Sequence, residues 1–351
     1  ADLKFPEIKD EKGIWQELTH GRYILFMKSS NRRVRKDAFT ALYHTYDKLK
    51  NTLAATLTAS IKKDIYYSRV RKYNSALEAS LDQDNVPLSV YENLITTVRD
   101  NVDHLHKYMT LKKRSLGLEQ LHMYDLYTPI VEEVDMKIPY ENAKEYILEG
   151  FKPLGQEYNE LVVKAFQEGW IDVMENRGKT SGAYSWGHYD THPYILLNYQ
   201  DNIDNVYTLA HELGHAIHSY YSNKNQPYVT AGYKIFVAEV ASTLNEILLT
   251  KHLLNTLPDK AQRAYILNHY LEQFRTTVYR QTMFAEFEKI THEMAAEGNP
   301  LTADRFNSIY HDLNAEYYGH NVVIDKNIDI EWARIPHFYT AFYVYKYATG
   351  F

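Results

Sequence analysis

The sequence predicts a mainly α-helical protein with a small β-sheet. Apolar residues recur at helical spacing from about residue 32 to 115, which indicates amphipathic helices packed on a core. The segment from Val206 to Ile217 is apolar or small on nearly every side, which is typical of a buried helix. Residues 178–199 are rich in glycine and aromatic residues and end in the apolar run Tyr194–Leu197, which predicts a loop and then a strand just before that helix.

Other elements follow from local signals along the chain. Alternating polar and apolar residues around a turn signal at Asp10–Gly13 predict a hairpin that extends to about residue 28. The stretch Tyr127–Met136 predicts a short strand, and Pro258 is expected to start a long helix that ends near Gly298.

The composition of the chain narrows the classes of partner. The 351 residues carry a net charge of −6, which argues against a nucleic-acid partner. No apolar run is as long as a membrane span, so we expect no membrane partner. The absence of cysteine excludes thiolate metal sites and fits the reducing cytoplasm, where we expect the protein to act. The 32 tyrosines suit a peptide-binding channel as well as ordinary core packing.

The buried helix contains the motif His-Glu-x-x-His. Its histidines, His211 and His215, are four residues apart, so they lie about 40° apart on one face of the helix and can reach one metal ion. Glu212 is placed to take a proton from a metal-activated water, which is the arrangement of zinc hydrolases. The alternatives are a polar cluster satisfied without metal and a solvated helix face, but the apolar flanks disfavour both.

A zinc site of this kind needs a third protein ligand. The metzincin pattern is excluded because it requires glycine at 218 and histidine at 221, where this chain has His218 and Tyr221. Glu239 is the better candidate, because it is an isolated acid in a second apolar helix and shares a face with Ser242 and Glu246. Glu246 would then accept the free N–H of a ligand histidine. His218 remains either a ligand or, as we prefer, an outer or structural residue.

The chain resembles oligoendopeptidase F, in the thimet-oligopeptidase-like family of zinc metallopeptidases. Four stretches carry this resemblance, namely Ala210–Ala216, Phe236–Thr243, His192–Asn198 and Ile335–Tyr339. It implies one Zn²⁺ per chain held by His211, His215 and Glu239, with Glu212 as the base. It also implies a helical zincin-type cradle around a deep channel that admits short peptides. Family members are longer at both ends, so this chain is expected to be a piece of a larger enzyme. Residues 1–125 would then form a helical part of the cradle with the N-terminal hairpin, and residues 126–351 the catalytic region.

Further residues are expected to act on the substrate. The strand at Tyr194 should bind the substrate backbone as an edge strand, with His192 and Tyr339 as additional contacts. Peptide hydrolysis also needs a neutral donor for the tetrahedral oxyanion. The segment His337–Tyr347 contains one histidine and several tyrosines, and we favour His337 and Tyr345, followed by Tyr343.

The sequence leaves several functions open. The leading prediction is a zinc endopeptidase that cuts internal bonds of short peptides. These peptides are its substrates and the only partners that we expect. The main alternative is a catalytically incompetent fragment that keeps the zinc and binds peptides without cutting them. A structural zinc site is disfavoured, because such a site has no use for Glu212. A zinc aminopeptidase would need an acidic anchor for a free amine.

Overall fold

The computed structural model describes residues 3–131, 136–180 and 182–351 and shows a mainly helical protein, as predicted. Fourteen α-helices occur in these ranges: α1 His20–Lys28, α2 Arg32–Asp47, α3 Lys50–Val70, α4 Ala76–Asp82, α5 Leu88–Asp100, α6 Val102–Ser115, α7 Tyr140–Gly150, α8 Gln156–Gln167, α9 Ile203–Asn225, α10 Ile235–Thr256, α11 Lys260–Gln273, α12 Arg280–Ala296, α13 Ala303–Tyr318 and α14 Tyr345–Gly350. None of the helices in these ranges combines the length and hydropathy that crossing a lipid bilayer requires.

The described residues also form three small sheets. Their strands are β1 Glu7–Lys9, β2 Trp15–Glu17, β3 Leu121–His122, β4 Ile171–Asp172, β5 Tyr184–Trp186, β6 Tyr194–Leu196 and β7 Val322–Val323. Strands β1 and β2 form an antiparallel hairpin, and β3 pairs with β7 in parallel. The third sheet has the order β4-β6-β5 and packs beside α9, as the sequence predicts.

The chain divides into two compact units. The first unit contains residues up to Ile130 together with Phe274–Ala348, and the second contains Val131–Gln273 and Thr349–Phe351. The predicted division of the chain at residues 125 and 126 stays a prediction. The return of Phe274–Ala348 to the first unit was not anticipated, because long-range contacts of this kind leave no local signal in the sequence.

Three local predictions need correction. The hairpin ends at Glu17, because Thr19 accepts a hydrogen bond from the Arg22 N–H and starts helix α1 where the sequence suggested strand. Residues 127–131 form turns and bends instead of a strand, and residues 132–135 of that predicted strand lie outside the described residues. The long helix predicted after Pro258 is divided into α11 and α12 by the π-helical stretch Phe274–Tyr279.

The first unit has a buried ionic centre at Glu331. This carboxylate accepts hydrogen bonds from the hydroxyl groups of Tyr43, at 2.7 Å, and Tyr310, at 2.6 Å. It also forms a two-point ion pair with the Arg280 guanidinium at 2.8 and 3.2 Å. Glu331 therefore ties together α2, α12 and α13 of this unit.

The second unit is organised around helix α9. Its apolar side chains are completely buried in a core that α7, α8, α10 and the sheet strands complete. The fully buried residues are Val206, Leu209, Ala210, Leu213, Ala216 and Ile217. This burial on nearly all sides agrees with the apolar pattern of the sequence, and it makes α9 a rigid support for the polar residues that it carries.

Gly214 allows helices α9 and α10 to approach closely. A Cβ atom at Gly214 would lie 2.6 Å from Ser242 Cα and 2.8 Å from the carbonyl oxygen of Ala241. Both are backbone positions of α10, so neither can move aside without shifting that helix. The contact is reinforced by Asn245, whose side-chain N–H donates to the Ala210 carbonyl at 3.0 Å.

We expect Gly214→Ala to lower the free energy of unfolding by about 1–3 kcal/mol, because the added methyl group overpacks a backbone-to-backbone contact. In an open helix the same change would stabilise by up to about 1 kcal/mol. The measurement is the urea midpoint of the metal-free protein. Gly232→Ala is the matched control, because a Cβ there has nothing within 4 Å. An unchanged midpoint for Gly214→Ala would contradict this account of the helix pair.

Candidate metal centre

Three candidate ligand atoms lie together where α9 faces α10. His211 Nε2 is 3.1 Å from His215 Nε2, and Glu239 Oε2 is 3.4 Å from the first and 3.6 Å from the second. Tetrahedral zinc with bonds of about 2.0–2.1 Å keeps its ligand atoms about 3.3–3.4 Å apart. The three atoms thus have the separations that a shared ion requires. Among the described residues, this is the one group of three or more histidine, cysteine or acidic side chains that could hold a metal.

Outer residues orient these candidate ligands. The Nδ1–H of His211 donates to Glu246 Oε1 at 2.5 Å, which directs Nε2 towards the group and has the geometry expected of a metal-ligating histidine. The Gln273 amide donates to the other oxygen of Glu246. Ser242 donates to Glu239 Oε2 at 3.0 Å. Burial lowers the pKa of His211, but the hydrogen bond and charge of Glu246 outweigh it, so the pKa is raised.

Glu212 is buried beside this group without belonging to it. Its side chain is 6% exposed and it follows His211 in the helix. Burial raises the pKa of Glu212 to about 7, while the charge of His211 opposes the shift and Glu239 adds to it. A raised pKa makes a carboxylate a stronger base, which suits a group that accepts and returns a proton.

His218 lies outside the group of three ligand atoms. Its ring stacks on Tyr233 with the centroids 3.8 Å apart, and the Tyr233 hydroxyl is 2.9 Å from Ser219 Oγ. This placement agrees with the preferred interpretation of His218 as a structural residue, because a ring packed flat on tyrosine serves packing.

The strand that contains Tyr194 is not an edge strand, contrary to the prediction. Strand β6, which contains Tyr194, lies between β4 and β5, so its backbone is paired on both sides, and β4 and β5 are the two edges of the sheet. The Tyr194 ring is exposed and contacts His192, which also stacks on the buried Trp170. The substrate contacts predicted for His192 and Tyr194 stay predictions, but addition of a strand at Tyr194 is wrong.

The aromatic residues predicted to bind the oxyanion belong to the first unit. His337 stacks on Tyr343 with the centroids 5.9 Å apart, and its Nε2 is 3.4 Å from the Tyr347 hydroxyl. Tyr345 lies elsewhere, fully buried with its ring 5.1 Å from Tyr91. Tyr339 is exposed, and its hydroxyl lies 2.9 Å from Thr56 Oγ1.

Several residues of these sites were missed in the sequence. Tyr347 was not favoured in the sequence, and helical spacing could not single it out, because Tyr343 precedes α14. Gly214 and Gln273 carry no local signal, since their roles depend on contacts with other helices. Gly350 was also missed; its carbonyl accepts from Thr243 at 2.8 Å, and a Cβ there would lie 3.1 Å from Glu239 Cβ.

We expect Glu246→Gln to weaken zinc binding by about 10–100-fold, the usual cost of losing a carboxylate that supports a ligand histidine. The glutamine can still accept the His211 N–H, but it lacks the charge that makes the imidazole a stronger ligand. Competition with a coloured chelator measures the affinity. Glu145→Gln, which changes an exposed acid of α7 in the same unit, should leave it unchanged. Equal affinities of Glu246→Gln and the parent would remove Glu246 from the site.

Helices α9 and α10 thus carry a His-Glu-x-x-His motif and a third candidate ligand, Glu239. The profile of peptidase family M3 matches residues 25–351. Oligopeptidase PepF of Bacillus subtilis is 54% identical over 351 residues, which are 100% of this chain and 52% of that protein. Group B oligopeptidase PepB of Streptococcus agalactiae is 48% identical over 100% of this chain and 58% of its own length.

A solved structure agrees with these relatives. Oligoendopeptidase-F from Enterococcus faecium matches with a TM-score of 0.79 at 42% identity, covering 100% of this chain and 56% of that one. The chain therefore belongs to peptidase family M3, and its resemblance to oligoendopeptidase F is confirmed. It spans about half the length of the curated relatives described above, at 52% and 58%.

Proposed function

We propose that this chain carries the catalytic centre of a zinc-dependent endopeptidase that hydrolyses internal bonds of short oligopeptides. The observation that carries the proposal is the convergence of His211 Nε2, His215 Nε2 and Glu239 Oε2 next to the buried Glu212. The names of the relatives, oligopeptidase and oligoendopeptidase, support peptides as the substrates. The cytoplasmic location stays a prediction.

The residues present fit one zinc ion. Two neutral imidazole nitrogens and one carboxylate oxygen are the ligand set of many catalytic zinc sites, which keep a position for water or substrate. His211, His215 and Glu239 would hold the ion. Glu246 keeps the His211 side chain in place, and Ser242 keeps that of Glu239 in place. When bound, zinc would make water more acidic and polarise the scissile carbonyl.

Glu212 is proposed to move the protons. It takes one proton from the attacking water and returns it to the leaving nitrogen, so that the amine departs neutral. Burial raises the pKa of Glu212, which makes its carboxylate a stronger base for the first transfer.

A donor to the developing oxyanion is the second requirement. We propose His337 with Tyr343 or Tyr347 for this role, because these three rings form one cluster in the first unit. The complete burial of Tyr345 argues against it. The contribution of such a donor is about 3–4 kcal/mol of transition-state stabilisation at most.

The test is cleavage of a mixed pool of quenched short peptides by the chain and by Glu212→Gln, with a chelator as a further control. We expect internal cleavage that disappears in both controls, and product analysis separates it from removal of N-terminal residues. If the chain holds one zinc and binds peptides without cutting any, it is a peptide-binding fragment and the proposal is wrong.

A further inference from the structure

Phe342 has an unusual backbone conformation. Its φ is 57°, in the left-handed region, where the described part of the chain places three other non-glycine residues, Lys72, Asn85 and Asp201. A bulky residue is strained in this region, so the surrounding structure must hold it there. Such strain is concentrated at functional sites. Phe342 is also almost completely buried, so the turn is fixed inside the first unit.

Glu288 of α12 holds this turn. Its Oε1 accepts the Phe342 N–H at 2.9 Å, and its side chain is 2% exposed. Its other oxygen is buried and has no hydrogen-bond partner among the described residues. Leaving a carboxyl oxygen unsatisfied in the core costs free energy, and an apolar side chain would pack there without that cost. The hydrogen bond to the Phe342 N–H is therefore the interaction that compensates for burying this carboxyl group.

Neighbouring contacts fix both sides of the turn. Ser80 Oγ donates to the Ala341 carbonyl at 3.0 Å, and the Lys346 ammonium pairs with Asp84 at 2.6 Å. The Phe342 ring lies 4.5 Å from the His292 ring, measured between centroids. The segment between residues 341 and 346 therefore has one defined path.

The turn determines where the following aromatic side chains go. The chain reverses at Phe342, and the next residue, Tyr343, stacks on His337 with an interplanar angle of 18°. Tyr347 then approaches both rings, with centroids 6.0 Å from His337 and 5.5 Å from Tyr343. Another backbone conformation at residue 342 would send Tyr343 in another direction.

We propose that Glu288 is a positioning residue for catalysis. It holds the Phe342 turn and thereby places Tyr343 and Tyr347 around His337, the cluster that would serve the oxyanion. This inference rests on the proposed function, because only peptide hydrolysis gives the cluster its role. Glu288 itself is buried and touches neither substrate nor metal.

Three variants separate positioning from stability. Glu288→Leu removes the acceptor for the Phe342 N–H, whereas Glu288→Gln keeps it. Burial raises the pKa of Glu288 well above its usual value, because it penalises the charged form, and glutamine has nearly the same shape. Glu286→Leu is the matched control, because Glu286 is a buried acid of the same helix that pairs with Arg99 and Tyr317.

Two readouts are measured on each variant. The first is kcat and KM on a quenched peptide. The second is the ¹³Cε1–¹H resonance of His337 in histidine-labelled protein, assigned with His337→Gln. This resonance reports ring currents from Tyr343 and Tyr347 and does not need activity. For Glu288→Leu we expect kcat to fall about 10²-fold with little change in KM, comparable to losing an oxyanion donor, and the resonance to shift.

The controls define the other outcomes. Glu288→Gln should keep both kcat and the resonance, and Glu286→Leu should lower the unfolding midpoint while changing neither. If Glu288→Leu behaves like Glu286→Leu, Glu288 is only structural and the inference is overturned. Should Glu288→Leu not fold, Glu288→Asp, which draws the acceptor back by one methylene, is judged by the same criteria. If the parent protein cuts no peptide, the proposed function is wrong. Separately, if the His337 resonance does not shift in Glu288→Leu, Glu288 does not position the cluster.

Discussion

Glu212→Gln is expected to reduce kcat for peptide hydrolysis by about 10³–10⁴-fold, the upper part of the range for general acid–base catalysis. The amide has the shape of the carboxyl group but cannot accept a proton from water, and both proposed proton transfers depend on this side chain. The zinc content should stay at one per chain, because Glu212 is not in the group of ligand atoms. Steady-state kinetics and metal analysis on the same preparation measure both quantities.

The comparison with Glu246→Gln makes this test specific. Added zinc should restore the activity of Glu246→Gln, whose defect is metal affinity, but it should leave Glu212→Gln inactive. A Glu212→Gln protein that keeps most of the parent kcat would show that another group accepts the proton. Recovery on adding zinc would instead indicate that Glu212 supports the metal.

Glu331→Gln is expected to lower the free energy of unfolding by about 3–5 kcal/mol, because it leaves the charge of Arg280 buried without a counter-ion. Glu331 is 2% exposed and is the shared partner of Arg280, Tyr43 and Tyr310. The urea midpoint, followed by circular dichroism, measures the loss. Glu316→Gln, at an exposed acid of the same unit that pairs with Arg99, should cost about 1 kcal/mol or less.

The comparison of the parent with Glu331→Gln also gives a prediction of how stability depends on pH. Burial would raise the pKa of Glu331, but the charges of Arg280 and Arg334 outweigh it and lower the pKa from 4.5 to about 2. A lowered folded-state pKa gives stability that is fully present above the unfolded value and is lost as the pH falls through the folded one. The difference between parent and Glu331→Gln should therefore be constant above about pH 5 and shrink towards pH 2. A difference that grows in acid would contradict this assignment.

The sequence indicates the residues of the candidate metal centre because the pattern that marks them is local. A spacing of four residues, close to the 3.6 residues of one helical turn, places His211 and His215 on one face, and no other part of the chain is needed for that inference. Glu239 and Glu246 stand out because they are isolated acids in an apolar helix. The close approach of α10 at Gly214 cannot be predicted from local sequence, because a glycine inside a helix does not indicate which backbone approaches it.

Sheet order and the aromatic cluster show what the sequence does not reveal. Strand β6 was predicted, but its partner β4 has only two residues and leaves no pattern, so the central position of β6 could not be inferred. Tyr345 was favoured over Tyr347 because the sequence does not reveal that the chain turns at Phe342. Left-handed turns are usually signalled by glycine or asparagine, and a phenylalanine held there by a distant carboxyl group gives no such signal.

The placement of all three candidate ligands on α9 and α10 has a consequence for folding. These helices are consecutive in the chain, with α9 ending at Asn225 and α10 beginning at Ile235. The contacts that create the metal centre therefore close only a short loop, and contacts of low sequence separation form quickly. We infer that this helical hairpin can assemble early and form the candidate ligand group before the chain brings residues 274–348 back to the first unit. The helices that carry the candidate ligands would then fold first, and the rest of the polypeptide would fold after them.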